Sequence, residues 1–255
     1  MAWDPGQYLK FAGPRLRPAL DLLQRIDVEA PRVVYDLGAG AGNVTKLIAA
    51  RWPMARVVGI DGSAEMLAKA AAENPNIEWR QADLGRWRPD QPPDVIYSNA
   101  ALHWLDAHER VIPDVFAQLA PGGVMAVQMP RNFAALSHTS ITDAALAGPW
   151  RGKLEPLLRP SPVAPPEFYY DLLAPRAASL DMWESEYLQV LDGENPVKEW
   201  TKGTWLTPLL AALDEPDRSG FEADYAARVA AAYPSRADGK TLFPFRRMFM
   251  IATAR

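Results

Sequence analysis

The stretch Val33-Val34-Tyr35-Asp36-Leu37-Gly38-Ala39-Gly40-Ala41-Gly42-Asn43 narrows the folds open to this chain more than any other. Its β-branched and aromatic start predicts a buried strand, and Gly38, Gly40 and Gly42 mark a turn at the strand's carboxyl end. Open α/β sheets bind ligands at that edge, so the turn is a candidate cradle. A dinucleotide fingerprint, G-x-G-x-x-G, would place a third glycine at position 43; Asn43 stands there, which argues against a nicotinamide cofactor. Asp36 precedes the glycines, where a carboxylate at a strand tip can accept from an ammonium or hydroxyl group. That order favours a cationic ligand carrying an amino-acid group.

Two further apolar runs end in acids. Arg56-Val57-Val58-Gly59-Ile60-Asp61 lies where a βαβ unit places its ribose-binding carboxylate, so Asp61 is the candidate acceptor for both ribose hydroxyls. Ile77-Glu78-Trp79-Arg80-Gln81-Ala82-Asp83-Leu84 ends in Asp83, expected beside an adenine. A fourth run, Asp94-Val95-Ile96-Tyr97-Ser98-Asn99-Ala100-Ala101-Leu102-His103-Trp104, completes the series.

In this order the four runs resemble the motifs of class I S-adenosylmethionine-dependent methyltransferases. Asp36, Gly38 and Gly40 match the first motif, Asp61 the ribose acid, Asp83 the adenine-side acid, and Asn99 to Trp104 the segment under the donor methyl. The resemblance implies S-adenosylmethionine as cofactor, S-adenosylhomocysteine as product, and Ala39, Gly62, Met66, Ala82, Leu84, Asn99, Ala100 and Trp104 as further donor-site residues. Tyr8 and Arg17 are candidates to close over the donor from the amino-terminal segment, and capping of the helix that follows is an equal reading for Arg17. The expected fold is α/β: a Rossmann-like, doubly wound, mostly parallel seven-stranded sheet with an antiparallel last strand. A helical cap is expected between the last two strands. The expected organisation is a single domain over 1–255, with a helical lid segment at 1–30, a donor-binding core at 31–130 and the cap at 192–240.

Periodicity and breakers agree with alternating strands and helices. Val44 to Arg51 reads as a helix ended by Pro53, Ala64 to Ala72 as a second before Asn74-Pro75, and Ala107 to Leu119 as a third. Pro121-Gly122-Gly123 is a turn signal into a fifth buried strand, Val124 to Pro130. Residues 149–166, rich in proline, read as an extended connection, and Leu180 to Leu191 and Phe245 to Ala254 as two late strands. Residues 196–233, with Trp200, Trp205, Phe221, Tyr225 and Tyr233, read as the cap over the active site, most of these aromatics forming its own core.

The formal net charge of -4 argues against a nucleic-acid partner. With neither a membrane span nor a secretory leader visible, the expected location is the cytoplasm, and a monomer or weak dimer is expected. The absence of cysteine removes disulfides and thiolate chemistry, and no His, Asp and Glu spacing suggests a metal.

A narrower resemblance covers almost the whole chain. Trp3, Tyr8 to Phe11, Arg15 to Pro18, Val127 to Pro130 with Asn132, Tyr169-Tyr170, Trp183, Tyr187, Trp200, Gly203-Thr204, Tyr233-Pro234, Asp238-Gly239 and Phe243 to Arg247 are similar to trans-aconitate methyltransferases. That likeness implies esterification of one carboxylate of a small polycarboxylate. Arg131, Asn132, Tyr169, Tyr170, Trp200, Thr204, Arg246 and Arg247 are the implied substrate-binding residues, Arg247 first among them. Lys198 and Lys202 are further cations near the expected cap. Thr207 and Arg131 depart from the pattern, as though a cation had moved. A carboxylate is already ionised at neutral pH, so no catalytic base is required; His103 is the one candidate for proton chemistry, with packing or hydrogen bonding as its other reading. Two other functions stay open: methylation of a different small acid, and a noncatalytic donor-binding module.

Overall fold

The computed structural model describes residues 12–255, with side chains from Leu16 onward. Helix α1 (Ala12–Gln24) leads into β1 (Val33–Leu37), α2 (Thr45–Arg51), β2 (Arg56–Asp61), α3 (Ala64–Glu73) and β3 (Glu78–Gln81). Then follow β4 (Val95–Asn99), a 3-10 turn (Leu102–Trp104), α4 (His108–Phe116) and β5 (Val124–Pro130). The seven-stranded sheet has the order β3-β2-β1-β4-β5-β7-β6, where β6 is Ala177–Leu191 and β7 is Thr241–Ala254. Strands β1 to β5 pair in parallel, and β7 runs antiparallel to β5, from Val124 opposite Thr253 to Pro130 opposite Arg247. This is the expected doubly wound sheet with its reversed last strand.

Burial follows position in the sheet. All five residues of β1 and the first six of β5 are buried, the near-continuous apolar pattern of parallel strands covered on both faces. Strand β3, at the edge, has no buried residue; there Arg56 and Arg80 both bind Glu78 and Asp90. Charges of this kind discourage another strand from adding to an open edge. At the start of α3 the Ser63 hydroxyl accepts from Met66 N–H at 3.3 Å, satisfying one orphan donor of the first turn.

Between β5 and β6 the structure departs from expectation. Residues 149–166 are not one extended connection: they hold a helical turn, α6 (Arg151–Leu154), and a 3-10 turn, Glu155–Leu157. Ahead of them lies α5 (Leu136–Ala147), and after them α7 (Pro166–Leu173). Helix α5 buries Ser137 and Ser140 alongside Ile141, Ala144 and Ala145, so its sequence lacks the polar-against-apolar contrast that reveals a helix. Between β6 and β7 come α8 (Pro196–Lys202), α9 (Thr207–Ala211) and α10 (Asp217–Ala232), in the segment expected to be helical. Among the described residues no helix is long and apolar enough to cross a membrane.

The chain divides into two compact units. A sheet unit comprises Leu16–Pro130, Pro162–Ser185 and Arg247–Arg255; a helical unit includes Arg131–Ser161 and Glu186–Arg246. The helical unit has its own core, including Trp150, Trp200, Phe221, Tyr225, Phe243 and Phe245. Trp150 fills the space above Gly220, where an added Cβ would lie 2.7 Å from the ring, and donates from Nε1 to Ala144 O at 2.8 Å. Tyr225 donates to Ser137 O at 2.8 Å while the Thr201 hydroxyl lies 2.8 Å from the same phenol oxygen, so one buried side chain ties α5, α8 and α10 together.

Replacing Tyr225 with phenylalanine keeps the ring and removes the hydrogen bond to Ser137 O. The expected result is a loss of about 1 to 3 kcal/mol in urea unfolding with unchanged secondary structure, the usual effect of leaving buried polar groups unpaired.

Candidate active site

The turn after β1 is pinned from below by Ile60 O, which accepts from Gly38 N–H at 2.8 Å and Ala39 N–H at 2.9 Å. Its glycines serve different ends. A Cβ on Gly38 would stand 2.0 Å from Ala101 Cβ, and one on Gly42 2.6 Å from the Trp79 ring, so both are needed for packing within the protein. At Gly40, with φ +55°, the nearest neighbour of an added Cβ would be Met66 Cε at 3.5 Å. Gly40 is therefore the glycine whose backbone a ligand can approach.

Acids at the strand ends shape the same turn. Asp61 accepts from Gly40 N–H through Oδ2 and from Ser63 N–H through Oδ1, both at 2.8 Å, and each oxygen keeps a lone pair for a ribose hydroxyl. Asp36 is buried and accepts from the Thr45 hydroxyl at 2.6 Å. Burial, with the Asp61 carboxylate nearby, pushes its carboxyl up to about 7 despite that bond. Asp83 accepts from Gly85 N–H at 2.9 Å, Gln81 binds Gly62 O, and Ala82 N–H donates to Asp61 O. Leu84 reaches to within 3.8 Å of the Cβ position at Gly38. Asn99 ends β4 with its Oδ1 buried and unsatisfied; Ala100 follows at φ +52° and donates to Gln128 O at 2.9 Å. Arg17 is exposed on α1, and Tyr8 lies outside the described residues.

These observations fit a cationic donor. A buried carboxylate with no cation beside it among the described residues, a second carboxylate bridging two turns and an unsatisfied amide oxygen all ask for donors, and the sulfonium, ammonium and hydroxyl groups of S-adenosylmethionine supply positive charge and donors.

Farther along the sheet edge the polar groups reverse sign. Arg247 on β7 is buried and donates from Nη1 to Gln128 Oε1 at 3.3 Å. His103, in the 3-10 turn, is buried with Nδ1 unpartnered; burial first, then the Arg247 cation and His108, hold it down at about 3. His108 steadies that turn: Nε2 lies 2.9 Å from Leu102 O, and Nδ1 lies 2.8 Å from the Tyr169 hydroxyl, which in turn accepts from Ala164 N–H at 3.1 Å. Tyr169 is thus wholly buried in a positioning chain, whereas Tyr170 is exposed and Trp104 is half-exposed against the His103 ring.

The remaining expected substrate residues belong to the helical unit. Asn132 Oδ1 accepts from Arg246 N–H at 3.2 Å, and Arg131 N–H donates to Arg246 O at 2.9 Å, which brings these three together. Trp200 packs in the core against Phe243 and Phe245, and the Thr204 hydroxyl turns back to Thr201 O. Lys198 and Lys202, the further cations near the expected cap, both bind Glu222, at 3.2 and 2.6 Å. Thr207 donates to Lys202 O at 2.8 Å, a local role at the start of α9. Gln128 falls in the Val127 to Pro130 run of the narrower resemblance, which gives it no role, and His108 has no motif around it; the signal for Gln128 is a polar residue inside the apolar fifth strand.

Residues 34–123 match the model of a methyltransferase domain family. A trans-aconitate 2-methyltransferase of Azoarcus sp. (strain BH72) is 47% identical over 98% of each chain. One from Methylobacterium radiotolerans is 43% identical over 98% of this chain and 97% of its own. The chain belongs to the trans-aconitate 2-methyltransferase family. It is therefore an S-adenosylmethionine-dependent methyltransferase. Its fold is shared with a phosphoethanolamine N-methyltransferase of Haemonchus contortus in complex with S-adenosyl-L-methionine (TM-score 0.58, 14% identity, 98% of this chain and 56% of that one). A putative sarcosine dimethylglycine methyltransferase from Galdieria sulphuraria is similar too (TM-score 0.56, 14% identity, 93% and 85%).

In this member of the trans-aconitate 2-methyltransferase family, donor binding is expected to depend on the charge of Asp36. Because its folded value lies above the unfolded one of 3.8, the folded protein takes up a proton there as pH falls through 7 toward 4, and a cationic ligand favours the ionised form. S-adenosylhomocysteine, which keeps the ammonium, is expected to bind more tightly at pH 8 than at pH 6 by calorimetry, and Asp36→Asn to flatten that trend. Asp61→Ala is expected to weaken the same ligand about 10- to 100-fold, the scale of hydrogen bonds to a charged group.

Proposed function

We propose that the protein transfers a methyl group from S-adenosylmethionine to one carboxylate of trans-aconitate, giving a monomethyl ester and S-adenosylhomocysteine. The observation that carries this reading is the near-full-length identity to trans-aconitate 2-methyltransferases, which extends through both units and not only the donor motifs. A buried arginine at the carboxyl edge of the sheet supports it, since a guanidinium fork suits a carboxylate. The reaction is assigned to the cytoplasm, with a small polycarboxylate as partner.

Bound at the donor turn, S-adenosylmethionine supplies an electrophilic methyl group on a positively charged sulfur. The protein's part is to bind, align and desolvate. Asp61 and Gly40 fix the nucleoside end, and Asp36 and Asn99 offer acceptors to the amino-acid end. Arg247 holds the acid. A carboxylate anion and a sulfonium cation become an ester and a thioether, so charge balances with no proton moved. His103 agrees with that balance: held near 3, it has no greater affinity for a proton than the carboxylate it would serve. Alignment of bound reactants can lower the barrier by ~7 to 11 kcal/mol, enough to make a base unnecessary.

Arg131 and Thr207 favour a second reading, methylation of another small carboxylic acid, because they differ from the family pattern at positions where a cation is placed or removed. A panel of trans-aconitate, cis-aconitate, isocitrate and citrate with labelled donor separates the two by product.

With the preferred acid, kcat is expected to show a solvent deuterium isotope effect close to unity; a large effect would return His103 to proton transfer. Arg247→Ala is expected to raise the acceptor KM about 30-fold or more with the donor KM little changed, the scale of removing one side of a buried charged contact.

A further inference from the structure

Gln128 interrupts an apolar strand, Val124-Met125-Ala126-Val127-Gln128-Met129, and is wholly buried. In the sheet, Asn99 of β4 lies beside Gln128, Phe249 of β7 lies opposite it, and Arg247 lies opposite Pro130. Side chains across a ladder share a face and alternate along each strand. Asn99, Gln128 and Arg247 therefore stand on one face, at the carboxyl ends of β4 and β5.

Arginine carries donors only, so the contact between Arg247 Nη1 and Gln128 Oε1 sets the amide with its oxygen toward the guanidinium and its NH2 away. That Nε2 has two N–H groups and, buried, meets no partner. Leucine or methionine would fill the same space without an unsatisfied donor.

We propose that Gln128 is a specificity-determining residue: its Nε2 donates to a carboxylate oxygen of the acceptor while its Oε1 holds the Arg247 fork. The inference rests on the reading of the acceptor as a polycarboxylate. The chemistry selects for such a ligand. An amide N–H and a guanidinium are both donors, so one carboxylate can accept from both, whereas an ammonium acceptor meets the like charge of the guanidinium. The amide N–H can donate to the carboxylate anion and, after transfer and more weakly, to the carbonyl of the ester.

The test is calorimetric titration of trans-aconitate into protein saturated with S-adenosylhomocysteine, for wild type, Gln128→Met and Gln128→Leu. Both variants are expected to melt at or above wild type, to bind S-adenosylhomocysteine within twofold, and to bind trans-aconitate at least tenfold more weakly. Binding of the acid within twofold of wild type, in whichever variant folds, overturns the proposal. A second comparison separates contact from mere orientation of Arg247. In an Arg247→Lys background Gln128→Met is still expected to weaken the acid fivefold or more, and loss of that effect overturns direct contact. If wild type does not bind trans-aconitate, the acceptor reading falls instead, and the same titration with citrate and isocitrate reads Gln128; binding of none of the three overturns both.

Discussion

The carboxylate of Asp61 holds the ligand-binding edge of this sheet in one shape. By accepting from Gly40 N–H and Ser63 N–H it joins the turn after β1 to the turn after β2, two segments that parallel pairing brings close but does not itself connect. Ile60 O, one residue earlier, takes the N–H groups of Gly38 and Ala39. Two consecutive residues at one strand end thus satisfy three donors of the neighbouring turn. A turn exposing backbone N–H groups around an acid has little freedom left, and a ligand that meets it need not organise it.

From that fixed point the edge separates into two chemistries. Asp36, Asp61 and Asn99, at the ends of β1, β2 and β4, present acceptors. Gln128 and Arg247, on β5 and β7, present donors. The division follows the strand order, since β4 separates β1 from β5. Acceptor groups and donor groups are thus separated along the edge in strand order. For a reaction that joins a positively charged methyl donor to an anion, that sorting is most of what the protein must supply.

The donor side was legible because each of its residues closes a strand, and a strand of apolar residues ending in an acid and a glycine is a local pattern. The glycines themselves were only half legible: Gly38 and Gly42 make room for Ala101 and Trp79, which are distant in sequence, and Gly40 alone opens toward a ligand. Helix α5 escaped notice because buried serines erase amphipathic contrast, and the proline-rich segment misled because Trp150 packs its neighbouring turns into a core no window of sequence contains. The Glu222 pairing of Lys198 and Lys202 depends on α8 and α10 meeting. The His108–Tyr169 chain spans 61 residues, and a doublet of tyrosines carries no sign of which one is buried.

His103 shows how the two chemistries limit each other. A histidine at the carboxyl edge of the sheet invites the role of base, yet burial opposes a positive charge on it, and the neighbouring Arg247 cation opposes it further. Burial first and the Arg247 guanidinium second therefore keep the imidazole neutral. An enzyme acting on a hydroxyl or an ammonium group would need the opposite arrangement, a group able to take a proton and no cation suppressing it. An anion that arrives without a proton to lose is the acceptor for which a buried arginine and an unprotonated histidine can stand side by side without conflict.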